Sequence, residues 1–287
     1  MIIDVKGHSG CDIEVIKEDD KLYVYKSSYD PGYFSRLEQQ ALKQHEASKQ
    51  TLQHIRVPKI LDIVKAKEKV TIKMDYVYSR NFIEFFEQSG FEQIDYLIES
   101  LISFIETEIK SSPLSTISRD VLRNKFADVK TKIESNPILK DDSCVEQILN
   151  CSLNIFSEME DMELPVGMCH GDLTFSNILF NGNNYYLIDF LDSFIESPII
   201  DIVKLRQDTS WLWSQLMYMK PLDSIRLKII MSKIDTELDM FFCKYNWYRE
   251  LYNPLQLMNF LRILQYAHEP RVISYLKTVI NEQIKKF

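Results

Sequence analysis

The chain has no apolar run approaching the roughly 20 residues that a membrane-spanning helix needs, so a membrane protein is not expected. It has no Cys-x-x-Cys pair, and its five cysteines, Cys11, Cys144, Cys151, Cys169 and Cys243, are scattered and odd in number. That argues against a disulfide framework or a zinc site and for reduced thiols in a cytoplasm. Cys169 reads as a small buried hydrophobe rather than a nucleophile. The opening stretch MIIDVKGHSG has no basic region followed by an apolar one, so no secretory signal is expected. Positive charge is in deficit: 34 Lys and Arg against 42 Asp and Glu leave a formal net charge of −8. A nucleic-acid partner usually requires a basic face and is not expected, whereas a cationic small molecule is compatible with this balance. No internal repeat or low-complexity tract is visible.

What remains is an ordinary globular composition over 287 residues, enough for one large domain or two lobes. The first 29 residues alternate as strands do: Ile2, Ile3 and Val5, then Ile13, Val15 and Ile16, then Leu22 to Tyr25 after the Asp19-Asp20 turn. Between the first two lies Gly7-His8-Ser9-Gly10, whose backbone N–H groups and hydroxyl could approach a phosphate. The full G-x-G-x-x-G is absent. Residues 33 to 53 predict a polar helix, and Val57-Pro58 opens a fourth strand, Ile60 to Val64, followed by a fifth, Val70 to Val77. From residue 81 the period changes to that of helices. Phe82, Phe85 and Phe86 lead a short one, Ile94 to Ile109 a long one, and Val121 to Ile133 and Val145 to Met159 two more. Residues 211 to 287 are helical and aromatic-rich, punctuated by Pro221, Pro254 and Pro270, and the aromatics read as core.

The chemistry concentrates in residues 168 to 192, MCHGDLTFSNILFNGNNYYLIDFLD. Asp172 and Asn177 are five apart, and Asn177 and Asp189 twelve apart, with apolar runs after the Asn and before the Asp. Between these runs Asn-Gly-Asn-Asn predicts a tight turn. A hairpin would thus fix Asn177 and Asp189 on one rigid support, where two oxygen-bearing side chains can hold Mg2+. Asp172 would stand nearby, able to accept a hydroxyl proton.

The pattern His170-Gly171-Asp172-Leu173, then Asn177-Ile178-Leu179, then Ile188-Asp189-Phe190, resembles the aminoglycoside phosphotransferase and choline kinase family, the small-molecule branch of the protein-kinase-like fold. Protein kinases carry H-R-D and D-F-G at this spacing. Gly171 and Leu191 depart from those motifs, and both departures point to the small-molecule branch.

The resemblance implies an α+β, bilobal fold. Residues 1–77 would form an N-lobe of five antiparallel strands plus a helix, and 78–287 a mostly helical C-lobe with the catalytic loop and acceptor-site helices. It implies ATP, with GTP open, and Mg2+. Lys26 would grip the α- and β-phosphates, with Glu38 as its partner on the helix; Glu46 and Gln44 stay open as alternatives. Ser9 and Gly10 would approach phosphate. Met74 would precede the inter-lobe linker Asp75-Tyr76-Val77, whose backbone would meet the base. Asn177 and Asp189 would hold the metal and Asp172 the acceptor hydroxyl, while His170 would brace the catalytic loop. Asp192 would stabilise the loop or approach a substrate cation, and Asp201 would act as a scaffold N-cap.

The acceptor stays open among an aminoglycoside, an amino alcohol such as choline, and a sugar. Two other readings compete. An inactive nucleotide-binding scaffold is disfavoured by the joint presence of Lys26, Asp172, Asn177 and Asp189. A Ser/Thr protein kinase is disfavoured by the absence of an A-P-E-like element and by the short segment from Asp189 to Pro198.

Overall fold

Alternating apolar residues near the N-terminus build a sheet, and one amphipathic helix covers it. The structure, a computed structural model, describes residues 3–6, 10–50, 52–218 and 221–287, with backbone alone for 3–6. The strands are β1 (Ile3–Lys6), β2 (Asp12–Glu18), β3 (Lys21–Ser28), β5 (Ile60–Ala66) and β6 (Lys69–Asp75); a two-residue strand, β4 (Ile55–Arg56), intervenes in the chain. The sheet runs β1-β2-β3-β6-β5 with every neighbouring pair antiparallel. The strands whose side chains are described number four, β2, β3, β6 and β5, against the five expected to build the lobe; β1 adds a backbone ladder at the edge, from Ile3↔Val15 to Lys6↔Asp12. On β6 the buried residues Val70, Ile72 and Met74 alternate with half-buried ones, as a strand covered on one face requires. Helix α1 (Phe34–Ala47) packs on that face with Leu37 and Ala41, and Cys11 completes the cluster.

Helix α1 ends well before residue 53. Ser48 caps it and the chain turns at His54, in a left-handed conformation (φ 64°), to enter β4. β4 was not expected. It pairs in parallel with β10 (Asn184–Leu187), itself antiparallel to β9 (Ile178–Asn181), in a second sheet ordered β4-β10-β9.

The chain forms two compact units, Met1–Phe104 with His170–Asp192, and Ile105–Cys169 with Ser193–Phe287. The first holds both sheets, α1, helix α2 (Phe82–Gln88) and most of α3 (Phe91–Ser111). The second contains a short unexpected ladder between β7 (Leu114–Ile117) and β8 (Met162–Pro165). Around it stand helices α4 (Asp120–Ser135), α5 (Ser143–Glu158), α6 (Pro198–Thr209), α7 (Trp213–Met217), α8 (Ser224–Phe242), α9 (Asn246–Leu264) and α10 (Pro270–Ile284).

Two local expectations need correction there. Asp201 is not the N-cap of α6: Ser197 is, with Pro198 at the first helical position, and Asp201 lies within the first turn, fully buried. Pro254 does not end a helix but sits inside α9. Among the described residues no helix is long and apolar enough to cross a membrane.

Candidate active site

The β9–β10 hairpin is the support that the Asn-Gly-Asn-Asn turn predicts. Asn181 faces Asn184 across a two-residue loop, and Gly182 supplies the positive φ (57°) at its first position. An aromatic bed lies within the same unit: Phe85 stacks on Phe180 at 4.3 Å between ring centres, and Phe86 meets Phe175 edge-on at 5.0 Å. At the open end of the hairpin the Ile188 amide donates to the Asn177 carbonyl at 3.1 Å. This bond holds the backbone of Asn177 beside the segment that carries Asp189.

Asp189 sits in the left-handed region (φ 61°), a conformation that non-glycine residues keep only where their surroundings impose it. Its Oδ1 accepts from Lys26 Nζ at 2.7 Å. The Lys26 side chain is 6% exposed and that of Asp189 37%, so the pair has one buried member and one that reaches water. Asn177 Nδ2 donates to the Asp172 carbonyl at 2.8 Å and to Asp172 Oδ2 at 3.0 Å. Both partners are acceptors, so the amide orientation is fixed and Asn177 Oδ1 is left on its other side.

A carboxylate oxygen and a carboxamide oxygen are hard donors of the kind Mg2+ takes. Among the described residues no three His, Cys, Asp or Glu side chains converge. A two-residue donor set fits an ion that draws its other oxygens from water and phosphate better than one caged by protein.

His170 is fully buried. Its Nε2 is 2.8 Å from the Ile188 carbonyl, and the Asp172 amide donates to Nδ1 at 3.2 Å. These bonds require a neutral ring with the proton on Nε2. Burial pushes its pKa down to about 4, against the pull of the Asp172 charge and the Ile188 bond. The ring lies on Phe190, centres 4.3 Å apart. Gly171 has a positive φ (84°), and a Cβ there would meet the Leu191 carbonyl oxygen at 2.0 Å. The glycine is therefore required by this close approach, and an arginine could not stand in its place.

The expected Lys26–Glu38 pair is not formed. Glu38 faces outward and pairs with Lys65 at 2.5 Å, while Glu46 pairs with Lys49 at 2.6 Å. The reason is helical phase. The buried stripe of α1 is Leu37, Gln40, Ala41, Gln44 and Ala47; at about 100° per residue Glu38 lies about 60° beyond its Ala41 edge and Glu46 about 100° beyond its Ala47 edge.

The stripe's polar members are glutamines. Gln40 and Gln44 line a shallow open recess together with Lys26, Met74, Asp189 and Phe190. Gln44 Nε2 donates to the Pro58 carbonyl at 3.0 Å, and Gln40 Nε2 lies 3.1 Å from the Tyr33 hydroxyl, which it can donate to. Gln40 was missed, though its spacing of i, i+3, i+4 and i+7 with Leu37, Ala41 and Gln44 signals a shared face. Lys43 was missed as well: its Nζ donates to the Leu191 carbonyl at 2.6 Å and lies 4.0 Å from Oδ1 of the exposed Asp192.

Of the remaining candidates, Met74 is buried and lines the recess. The Asp75 amide is engaged by the Lys59 carbonyl at 3.1 Å, and Val77 follows the end of β6, half-buried. Gly10 adopts a positive φ (70°) with open space around it. Ser9, with Gly7 and His8 of the same turn, lies outside the described residues.

A sequence model of the Phosphotransferase enzyme family (APH) matches residues 28–219. Among solved structures, an amicoumacin kinase in complex with AMP-PNP, Ca2+ and its ligand superposes with a TM-score of 0.63 at 13% identity, covering 99% of this chain and 88% of that one. A thermostable mutant of aminoglycoside phosphotransferase APH(4)-Ia, in ternary complex with AMP-PNP and hygromycin B, gives 0.61 at 10% identity, covering 99% and 93%. The GDP and kanamycin complex of APH(2")-IIIa gives 0.60 at 14% identity, covering 100% and 93%. A comparison with curated protein sequences found no match.

Proposed function

The chain belongs to the phosphotransferase enzyme family, that of the aminoglycoside phosphotransferases and related small-molecule kinases, and from that premise we propose that it moves the γ-phosphoryl group of ATP to a hydroxyl of a small molecule. One observation carries the reading. Lys26, from the N-terminal sheet, meets Asp189 at 2.7 Å, on the same hairpin support where Asn177 holds Asp172 at 3.0 Å. Four residues of the types that phosphoryl transfer uses, a lysine, two aspartates and an asparagine, thus lie in one unit.

In this reading residues 1–77 serve as the nucleotide lobe and 78–287 carry the catalytic loop and acceptor helices. Lys26 orients the α- and β-phosphates. Gly10 and Ser9 flank the phosphates, and Met74, Asp75 and Val77 flank the base. Asn177 and Asp189 would hold Mg2+, which when bound offsets charge on the phosphate oxygens. Asp172 orients the acceptor hydroxyl and takes its proton late, since this chemistry needs positioning more than a strong base. Neutral His170 keeps the loop in register through its bonds to Ile188 and Asp172.

A cationic acceptor, an aminoglycoside or an amino alcohol, suits the net charge of −8, and a sugar is the neutral alternative. A cytoplasmic location accords with five cysteines that form no disulfide. The test is ATP consumption with aminoglycosides, choline, ethanolamine and a sugar panel, run beside Asp172→Ala. Acceptor-dependent turnover is expected to fall roughly 10²- to 10⁴-fold in the variant. Wild-type turnover by Asp172→Ala would sink the reading, and metal-dependent nucleotide binding without turnover on any acceptor would point to an inactive scaffold.

A further inference from the structure

Helix α1 places no carboxylate beside Lys26. Its polar residues at the recess are Gln40 and Gln44, while Glu38 is paired with Lys65 and Glu46 with Lys49. The helix reaches the site in another way. Lys43 lies at the edge of the buried stripe with its side chain only 9% exposed, and its Nζ donates to the Leu191 carbonyl at 2.6 Å.

That peptide is a junction. The Leu191 carbonyl is also the group that leaves no room for a Cβ at residue 171, with 2.0 Å between them. The Leu191 amide donates to the His170 carbonyl at 2.9 Å. Leu191 lies two residues past Asp189, whose left-handed backbone (φ 61°) must be held by what surrounds it. One cation on α1 therefore fixes the segment that aims the Asp189 carboxylate, and a second cation, Lys26, meets that carboxylate directly.

We propose that Lys43 is a positioning residue for metal-dependent nucleotide binding: it couples α1 to Asp189 through the Leu191 carbonyl, in place of a helix carboxylate paired with Lys26. The inference rests on the phosphotransferase reading. It assigns α1 a cation that acts on the metal-bearing segment and leaves Lys26 to the phosphates. Removal of the Lys43 ammonium then loosens residues 188–192 and weakens the metal's contribution to nucleotide binding, while nucleotide binding without metal stays as it was.

The test compares wild type, Lys43→Met, Lys43→Gln and Lys43→Arg. Two readouts are needed: AMP-PNP affinity titrated with Mg2+ and without it, and amide hydrogen exchange of residues 188–192 in the nucleotide-free protein. In Lys43→Met and Lys43→Gln the Mg2+ concentration for half-maximal tightening should rise roughly 10- to 100-fold, the range for groups that orient metal ligands. Exchange at 188–192 should quicken, and Lys43→Arg, which keeps a donor and a charge, should recover most of both. Wild-type Mg2+ dependence and exchange in Lys43→Gln would overturn the proposal. So would an equal loss of affinity with and without metal that Lys43→Arg does not restore, which marks a merely structural lysine. Wild-type protein whose nucleotide binding ignores Mg2+ would instead overturn the phosphotransferase reading beneath it.

Discussion

Each unit contains a buried cation paired with an aspartate, and the two pairs are built differently. In the second unit Asp235 accepts from Arg206 Nε and Nη2, both at 2.9 Å, and from the hydroxyls of Thr209 at 2.7 Å and Ser210 at 2.5 Å. Arg206 also meets Asp239 and the Tyr248 hydroxyl, and its guanidinium lies over the Tyr252 ring at 4.4 Å. Burial pushes the Asp235 carboxyl up, but the Arg206 hydrogen bonds and charge outweigh it and hold the carboxyl below its ordinary range. In the first unit Asp189 accepts from Lys26 through Oδ1, stands on a strained backbone and keeps more of its side chain in water, 37% against 21% for Asp235. A carboxylate whose oxygens are saturated by protein donors is a structural element. Asp189, with a single donor among the described residues and an imposed backbone, has the open oxygen that the proposed metal role needs.

The same chemical change at the two aspartates should therefore have opposite effects. Asp189→Asn keeps an oxygen for Lys26 and tolerates the left-handed backbone, but removes the charge a metal needs. Phosphotransfer should fall by roughly 10³-fold, about 4 kcal/mol of transition-state stabilisation, with the melting temperature near that of wild type. Asp235→Asn breaks a buried fork and should cost about 3 kcal/mol of stability, lowering Tm by roughly 10 °C, while the folded fraction retains its turnover. Parallel kinetics and thermal melts decide it: stability loss at Asp189 and turnover loss at Asp235 would break the comparison.

The two pairs also predict different acid sensitivity. His170, bonded to the Ile188 carbonyl and the Asp172 amide, has its pKa pushed by burial down to about 4 from an ordinary 6.5. Between those values the unfolded chain binds a proton that the folded chain refuses. Stability is therefore full above pH 6.5 and falls as the pH drops toward 4, by about 3 kcal/mol in total. The Asp235 carboxyl is depressed from 3.8, so its contribution is present above pH 3.8 and is lost only at lower pH. Wild-type protein should lose stability between pH 6.5 and 4.5, and His170→Asn should lose less across that window; equal slopes would remove His170 from the account.

How far the sequence reveals these regions depends on what each relies on. The hairpin was legible because its information is local: a turn signal, two apolar runs and fixed spacings bring Asn177 and Asp189 to adjacent chain positions whatever else the fold does. The sheet was legible from the period-two alternation of β2, β3 and β6. β4 was not, because two residues carry no period. Lys43 was not, because its partner is a backbone carbonyl 148 residues away, and a carbonyl leaves no trace in residue identity. The requirement for Gly171 was hidden for the same reason. Gln40 was legible in principle, since its phase matches Leu37 and Ala41, whereas Gln44 on the same face already stood as an open alternative to Glu38.

The misplacement of Glu38 yields the smallest effect and the sharpest check on α1. Glu38 and Lys65 have side chains 33% and 57% exposed, so their pair contributes at most about 1 kcal/mol. Glu38→Gln should leave Tm within a few degrees and the nucleotide KM within roughly twofold, because the lost charge faces solvent and Lys26 keeps Asp189. If Glu38 instead reached Lys26 during turnover, the variant would raise the nucleotide KM and lower kcat together, as loss of a phosphate-orienting contact does. A null result at Glu38 beside a large shift in Mg2+ dependence at Lys43 would separate two sides of one helix: Glu38 paired with Lys65, Lys43 on the edge that holds the segment carrying Asp189.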